Sequence, residues 1–294
     1  MRARAPGKVV LTGAYAVLEG APAIVASVSR FALADSAFPG EGSTAELRAA
    51  FPRGDAPRVD LAAFHGPHGK LGLGGSAAAL VAALMASTPR EDRSRIFETA
   101  RRIHRDVQGG GSGIDVAAST FGGIQSFAFG QGGIADSPVV DPVRLPDGLV
   151  VRVYAVPQSA RTSDLLGQVR AFAQAHASMY DTCMNAVVAA SHEAIDAAHQ
   201  NDGLGFRDAC ARFAAALDRL GIEAGASIFL PAVRELGEVA ARERSVFYPA
   251  GAGGGDLAVY VGLRDASPAF ADLAAKHGIE ALDVELGAPG VESV

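Results

Sequence analysis

Residues 71–84 read LGLGGSAAALVAAL, and no other stretch limits the possible folds of this chain as strongly. Gly72, Gly74, Gly75 and Ser76 run directly into an unbroken, helix-forming apolar segment. Glycine lets a backbone turn tightly and approach a ligand closely. A helix over residues 76–86 aims its free N–H groups and the positive end of its dipole back at the loop. That arrangement suits a phosphate. The stretch is not a Walker A loop, because Lys70 precedes the glycines and no GK[ST] follows them. Gly72, Gly74 and Ala77 fit GxGxxA on paper. A dinucleotide fold also needs a strand just before the glycines and an acidic residue at the end of a second strand. The preceding HGPHGK is a poor strand, and helix, Pro89 and helix follow. The plain alternative is a glycine-rich turn ahead of a core helix.

Bulk properties narrow the function classes. The chain has 294 residues, 49% of them hydrophobic, enough for one large domain or two smaller ones. Its net charge is −6, and no Lys/Arg-rich block marks a nucleic-acid surface. The apolar runs are far shorter than the ~20 residues of a membrane span, and MRARAPGKVVLTG does not read as a signal peptide. Cys183 and Cys210 lack metal-ligand spacing, so the expectation is a reduced, cytoplasmic protein. Glycine is abundant, at 35 residues against a usual ~7%. Lysine is scarce: Lys8, Lys70 and Lys276 stand among 26 basic residues, and the first two lie beside glycine motifs.

Periodicity predicts strands over 9–12, 23–28, 149–156, 257–261 and 282–286. Helices are predicted over 96–108 with Ile96, Ala100, Ile103 and Val107 on the apolar face, then over 115–121, 162–220 with a break near 201–205, 230–242 and 268–277. Residues 38–68 are polar, rich in Pro and Gly, and read as strands and loops. Punctuation at Asp141-Pro142 and Pro146-Asp147-Gly148 divides the chain into 1–147 and 148–294, the second half an α+β pattern.

Two further glycine clusters carry candidate chemistry. In the first, His104-Arg-Asp-Val-Gln108-Gly-Gly-Gly-Ser112-Gly113-Ile-Asp115, the aspartate falls just inside a helix start. Asp115 either serves the helix dipole or is a carboxylate on the floor of a glycine-lined pocket, able to orient an acceptor or take its proton. In the second, residues 251–256, side chains cannot fill a core. Close backbone approach to a ligand or to other backbone is then the use.

Three motifs in order resemble the GHMP kinase superfamily. Residues 5–20, APGKVVLTGAYAVLEG, are similar to its first motif. Pro67 with Gly72-Leu-Gly-Gly-Ser76-Ala-Ala78 resembles its second, PxxxGLGSSA, with one extra residue between. Gly251-Ala-Gly-Gly-Gly-Asp256 resembles its third. Gly13-x-Tyr15, HRDVQGG-GSGIDVAAS, GAGGGD and Lys70 are most like the phosphomevalonate kinase branch. The resemblance departs at Gly75, in place of a serine, at Ala14, in place of a frequent glutamate, and at His104, where mevalonate kinases have a Mg²⁺-holding glutamate.

The resemblance implies an α+β fold, with an N-terminal α+β domain, a C-terminal domain of ferredoxin-like character and the active site between them. It implies ATP phosphates bound by Gly72, Leu73, Gly74, Gly75, Ser76, Ala77 and Ala78, Mg²⁺ on the Ser76 hydroxyl, and a catalytic pair of Lys8 and Asp115. The substrate side falls to Gly13, Ala14, Tyr15, Ser112, Gly113, Gly251, Ala252, Gly253 and Gly254. An acceptor that is itself a phosphomonoester, with a second pKa near ~6, needs little base but needs extra positive charge. Lys70, His104 and Arg161 are candidates for that charge. The expected partners are ATP and a small anionic substrate, with no nucleic acid or membrane, in a monomer or homodimer. Three functions are open: a phosphomevalonate kinase, a kinase for mevalonate or another small alcohol, and a non-catalytic ligand sensor on the same fold.

Overall fold

Two long strands begin the chain in a computed structural model that describes residues 1–67, 69–130, 137–158, 160 and 162–294. They are β1 (Arg2–Thr12) and β2 (Ala23–Pro39), both longer than the apolar runs that announce them. Their ends are polar, and only pairing with neighbouring strands holds those ends extended. Residues 38–68, expected as strands and loops, also contain a helix, α1 (Ala45–Ala50), capped by Thr44, whose hydroxyl accepts from the Leu47 amide at 3.2 Å. The strands β3 (Pro57–Asp60), β4 (His65–Gly66) and β5 (Gly69–Lys70) follow.

Next come α2 (Gly75–Ser87), α3 (Arg93–Gln108), α4 (Ile114–Phe121), β6 (Ile124–Ala128) and β7 (Val139–Pro142). The later elements are β8 (Val150–Val156), α5 (Thr162–Ala175), α6 (Ala177–His199), α7 (Gly203–Glu223), α8 (Pro231–Arg242), β9 (Val246–Pro249) and β10 (Asp256–Gly262). The chain ends with α9 (Pro268–Lys276), β11 (Glu280–Ala281) and β12 (Glu292–Ser293). The strand expected over 282–286 does not form. Leu286 makes only an isolated bridge to Val28, while the backbone around it bonds to Ser27 and Ser29.

Contacts divide the chain into two compact units, Met1–Val9 with Val25–Gln125 and Val284–Val294, and Val10–Ile24 with Ser126–Asp283. In the first, β12, β1, β2 and β6 lie side by side in that order and β3 pairs with β2. Helix α2 is its centre, packed by α1, α3, α4, β3 and β12. Residues Ala77, Ala78, Ala79, Leu80, Val81, Ala82 and Ala83 are all fully buried. So many alanines let neighbours close in on every side, and the helix has no solvent face to mark with polar residues.

The second unit is built on an antiparallel sheet ordered β11-β8-β10-β9. Helices α6 and α7 pair along their length, α5 lies on α6, and α8 covers β9. Tyr154, Phe247, Phe270 and Tyr260 form an edge-to-face aromatic cluster at its core. Among the described residues no helix is long and apolar enough to cross a membrane.

The turn after α4 is the tightest backbone approach in the first unit. Gly122 has φ +72, and a Cβ there would lie 1.9 Å from the Gly290 nitrogen. Gly122→Ala therefore combines left-handed strain with a backbone clash and should cost about 2–4 kcal/mol, read as a lower urea midpoint at unchanged m-value.

Candidate active site

The loop before α2 is shaped by glycines in the left-handed region, Gly72 at φ +69 and Gly74 at φ +77, with Gly74 as the helix N-cap. The helix starts one residue earlier than the sequence suggests, at Gly75, with Ser76 half-buried in its first turn. Lys8 on β1 is tied to this loop twice. Its backbone amide donates to the Leu73 carbonyl at 2.8 Å, and its Nζ donates to the Gly72 carbonyl at 3.2 Å. A Cβ at Gly74 would stand 3.0 Å from the Lys8 side chain, so glycine there makes room for the lysine stem.

The structure gives a reason for glycine at 75. The Phe64 ring lies 3.1 Å from where a Cβ would sit, and the same ring comes within 2.8 Å of a Cβ built on Gly7. Phe64 is buried, so a serine here would need that ring to give by a few tenths of an ångström.

Asp115 lies in the first turn of α4, next to Gly113 at φ +78. Each carboxylate oxygen has its own partner. The Val116 amide donates to Oδ1 at 2.9 Å, and His104 Nε2 stands 3.2 Å from Oδ2. Behind His104, its Nε2 lies 4.0 Å from Glu46 Oε1, and Glu46 in turn accepts from Gln108 Nε2 at 2.6 Å. The Glu46 and His104 side chains are only 3% and 10% exposed.

Burial alone would push the Asp115 carboxyl upward. The His104 charge and hydrogen bond, then Lys8 and the Val116 amide, outweigh it and hold the group at about 2. For His104, burial pulls downward, but Asp115 and then Glu46 prevail over burial and Lys8, so the imidazole is raised above its ordinary value.

The expected residues fall into two groups. Lys8, residues 72–78, His104, Ser112, Gly113 and Asp115 all belong to the first unit. Ser112 Oγ accepts from the Ile114 amide at 3.3 Å, and Gly113 leaves room for the Arg101 stem, 2.9 Å from a Cβ built there. Lys70 is exposed on the β4–β5 hairpin. Gly13, Ala14, Tyr15 and residues 251–254 belong to the second unit. There the buried Tyr15 donates to the Ala252 carbonyl at 2.7 Å, which joins the first and third motifs. Tyr15 has φ +64, a strained conformation for an aromatic residue.

The third cluster splits its work. Gly253 would place a Cβ 2.4 Å from the Ile228 carbonyl, and Gly254 one 2.6 Å from Ala160, whereas nothing lies within 4 Å at Gly251. Arg161 lies outside the described residues.

Glu46 and Gln108 escape the sequence reading. Glu46 sits in a helix of six residues, and its partners are 58 and 62 positions away along the chain. The apolar stripe expected on α3 also turns: Ile96, Phe97, Ala100 and His104 are buried, while Ile103 and Val107 are half-buried. On this buried face His104 pairs with Asp115.

Among the described residues no three His, Cys, Asp or Glu groups stand together as a metal cage. A hard cation that keeps several waters and binds chiefly through phosphate oxygens needs no such cage. The Ser76 hydroxyl at the mouth of the loop is the chemistry such an ion would accept from the protein.

Two predictions follow from this geometry. Gly75→Ser should displace Phe64 and lower stability by about 1–3 kcal/mol, measured by thermal unfolding. The acid–imidazole pair also gives stability a pH window. Asp115, lowered from 3.8 to about 2, contributes fully above 3.8 and loses its share as pH falls through 2. His104, raised above 6.5, contributes below 6.5 and loses its share as pH rises through its folded value. Urea unfolding should therefore show about 2 kcal/mol of wild-type stability lost toward pH 2 that Asp115→Asn does not show.

Comparison with known proteins agrees with this geometry. Residues 47–123 match the family described as GHMP kinases N terminal domain. A mevalonate kinase from Archaeoglobus fulgidus is 29% identical over 219 residues, covering 67% of this chain and 72% of that protein. Among solved structures, a Listeria innocua protein superposes with a TM-score of 0.82 at 22% identity, covering 100% of this chain and 99% of its own. The phosphomevalonate kinase of Streptococcus pneumoniae, in complex with phosphomevalonate and AMPPNP, superposes with a TM-score of 0.80 at 18% identity, covering 97% and 99%. Residues 47–123 thus match the N-terminal domain of the GHMP kinases in sequence, and the chain shares the fold of these phosphotransferases along its whole length.

Proposed function

We propose that the chain transfers the γ-phosphoryl group of ATP to 5-phosphomevalonate, giving ADP and 5-diphosphomevalonate. The observation that carries this reading is the state of Asp115. Its two oxygens are engaged by the Val116 amide and His104, and its carboxyl is held at about 2. A general base works best with a pKa near the working pH. A carboxylate this acidic is a poor acceptor for an alcohol proton. A phosphomonoester is already largely ionised at neutral pH, and it asks the site to position charge, not to remove a proton.

Phosphoryl transfer is largely a matter of positioning and charge neutralisation. Residues 72–78 would hold the nucleotide phosphates through backbone amides at the start of α2. Mg²⁺, accepted by the Ser76 hydroxyl, supplies neutralisation of phosphate charge when bound. Lys8, already directed at the loop through the Gly72 carbonyl, would stabilise charge on the group in flight. An acceptor phosphate oxygen attacks the γ-phosphorus, the bond to the β,γ-bridging oxygen breaks, and ADP leaves. Asp115 orients Lys8 and the acceptor as a fixed anion. Residues 13–15 and 251–254, joined by Tyr15 and Ala252, would face the organic part of the substrate. Residues 1–147 would then carry the nucleotide side and 148–294 most of the substrate side, in a cytoplasmic enzyme.

Transfer to mevalonate is the second reading, favoured by the 29% identity to the Archaeoglobus fulgidus mevalonate kinase. There Asp115 would have to take the hydroxyl proton. Coupled ADP release with Mg²⁺-ATP separates the two. The first reading expects kcat/KM for 5-phosphomevalonate at least about 100-fold above that for mevalonate. The reverse order would contradict it. Lys8→Met should lower kcat by about 10²–10³ with either acceptor.

A further inference from the structure

The first unit contains one buried carboxylate that the proposed reaction does not use. Glu46 is 2% exposed, and a buried acid is retained only where charge partners or hydrogen bonds offset its desolvation. Its partners are Gln108 Nε2 at 2.6 Å and His104 Nε2 at 4.0 Å, and that same nitrogen lies 3.2 Å from Asp115 Oδ2. Three helices meet here: α1 brings Glu46, α3 brings His104 and Gln108, and α4 brings Asp115.

We propose that Glu46 and His104 are positioning residues for Asp115: Glu46, held by Gln108, fixes the His104 ring, and His104 with the Val116 amide clamps the two oxygens of the Asp115 carboxylate.

The clamp explains several features at once. An aspartate side chain in a glycine-lined turn is free to rotate, and with one oxygen held by its neighbour's amide it still has a second to place. His104 supplies the second donor from another helix. The same imidazole nitrogen faces both carboxylates, at 3.2 Å from Asp115 and 4.0 Å from Glu46, so Glu46 supplies a second, fixed negative charge that keeps Nε2 turned toward this corner if Asp115 swings toward a ligand. The charged groups acting on His104 are Asp115 from α4, Glu46 from α1 and Lys8 from β1. Burial and Lys8 act against its protonation, while the two carboxylates act for it. With His104 protonated, Asp115 remains an anion and does not compete for a proton with an incoming phosphate. Loss of that proton at higher pH weakens the clamp without removing the hydrogen bond.

This inference rests on the assignment of Asp115 to the reacting centre, but its test does not require the acceptor to be known. Histidine-selective NMR titration of the intact protein should show His104 titrating above the ordinary range in the wild type. Its midpoint should fall in Glu46→Gln and fall further in Asp115→Asn. A Glu46→Gln midpoint equal to that of the wild type overturns the proposal.

Turnover supplies the second readout, with whichever acceptor releases ADP. His104→Asn should lower kcat by about 10²-fold, as for a misplaced reacting group, with KM for ATP unchanged. The fall in wild-type kcat as pH rises through the His104 midpoint should be absent from this variant and shifted to lower pH in Glu46→Gln. A purely structural role would lower the melting temperature of both variants and leave the pH profile where it was, which overturns the proposal. Active-site turnover of mevalonate in preference to 5-phosphomevalonate, with the NMR shifts as expected, would overturn the acceptor assignment and support the clamp.

Discussion

The pair formed by His104 Nε2 and Asp115 Oδ2, 3.2 Å apart, governs the arrangement of the first unit around its site. An aspartate with a side chain only 21% exposed cannot remain ionised by solvent alone. The imidazole, the Val116 amide and Lys8 together reverse the effect of burial. Satisfying His104 in turn draws Glu46 out of a short helix and Gln108 from the end of α3. His104 shares the inward face of α3 with Ile96, Phe97 and Ala100. Removing one member of a buried pair strands the other, at a cost of about 3–5 kcal/mol, so the three helices are held to a common register by charge as well as by packing.

Glycine serves the two units in physically different ways. Gly72 and Gly74 supply left-handed backbone for the loop, and Gly74 also leaves room for Lys8. Gly75 yields its side-chain volume to Phe64, a ring that also packs beside Gly7. Glycine in place of the serine of the second motif goes with tight packing beneath the loop. In the third cluster Gly253 and Gly254 admit Ile228 and Ala160, whereas a Cβ at Gly251 would meet nothing within 4 Å. One compositional excess therefore covers both turn geometry and close packing.

How much of this is legible in the sequence depends on the range of the interaction concerned. Lys8, residues 72–78 and Asp115 stand out because each belongs to a local pattern of glycine, helix start and charge. The helices of the second half are legible for the same reason, and α8 and α9 each begin with proline in the first turn. Glu46 is not legible, since nothing adjacent to it signals burial and its partners are distant in sequence. The long ends of β1 and β2 are hidden because their extension depends on strand neighbours. Residues 282–286 look like a strand by composition, yet their backbone groups are divided between β8 and the Ser27–Ser29 region, and no continuous ladder forms.

In the proposed reaction Asp115 acts as a clamped anion with Lys8, and the acceptor brings its own negative charge. The most direct measurement is ³¹P NMR of the protein with Mg²⁺-ATP and equal concentrations of mevalonate and 5-phosphomevalonate. The expected result is loss of the 5-phosphomevalonate monoester signal and growth of the two coupled signals of a diphosphate ester alongside ADP. Growth of the 5-phosphomevalonate monoester signal itself, formed from mevalonate, with no diphosphate ester signals, would overturn that reading.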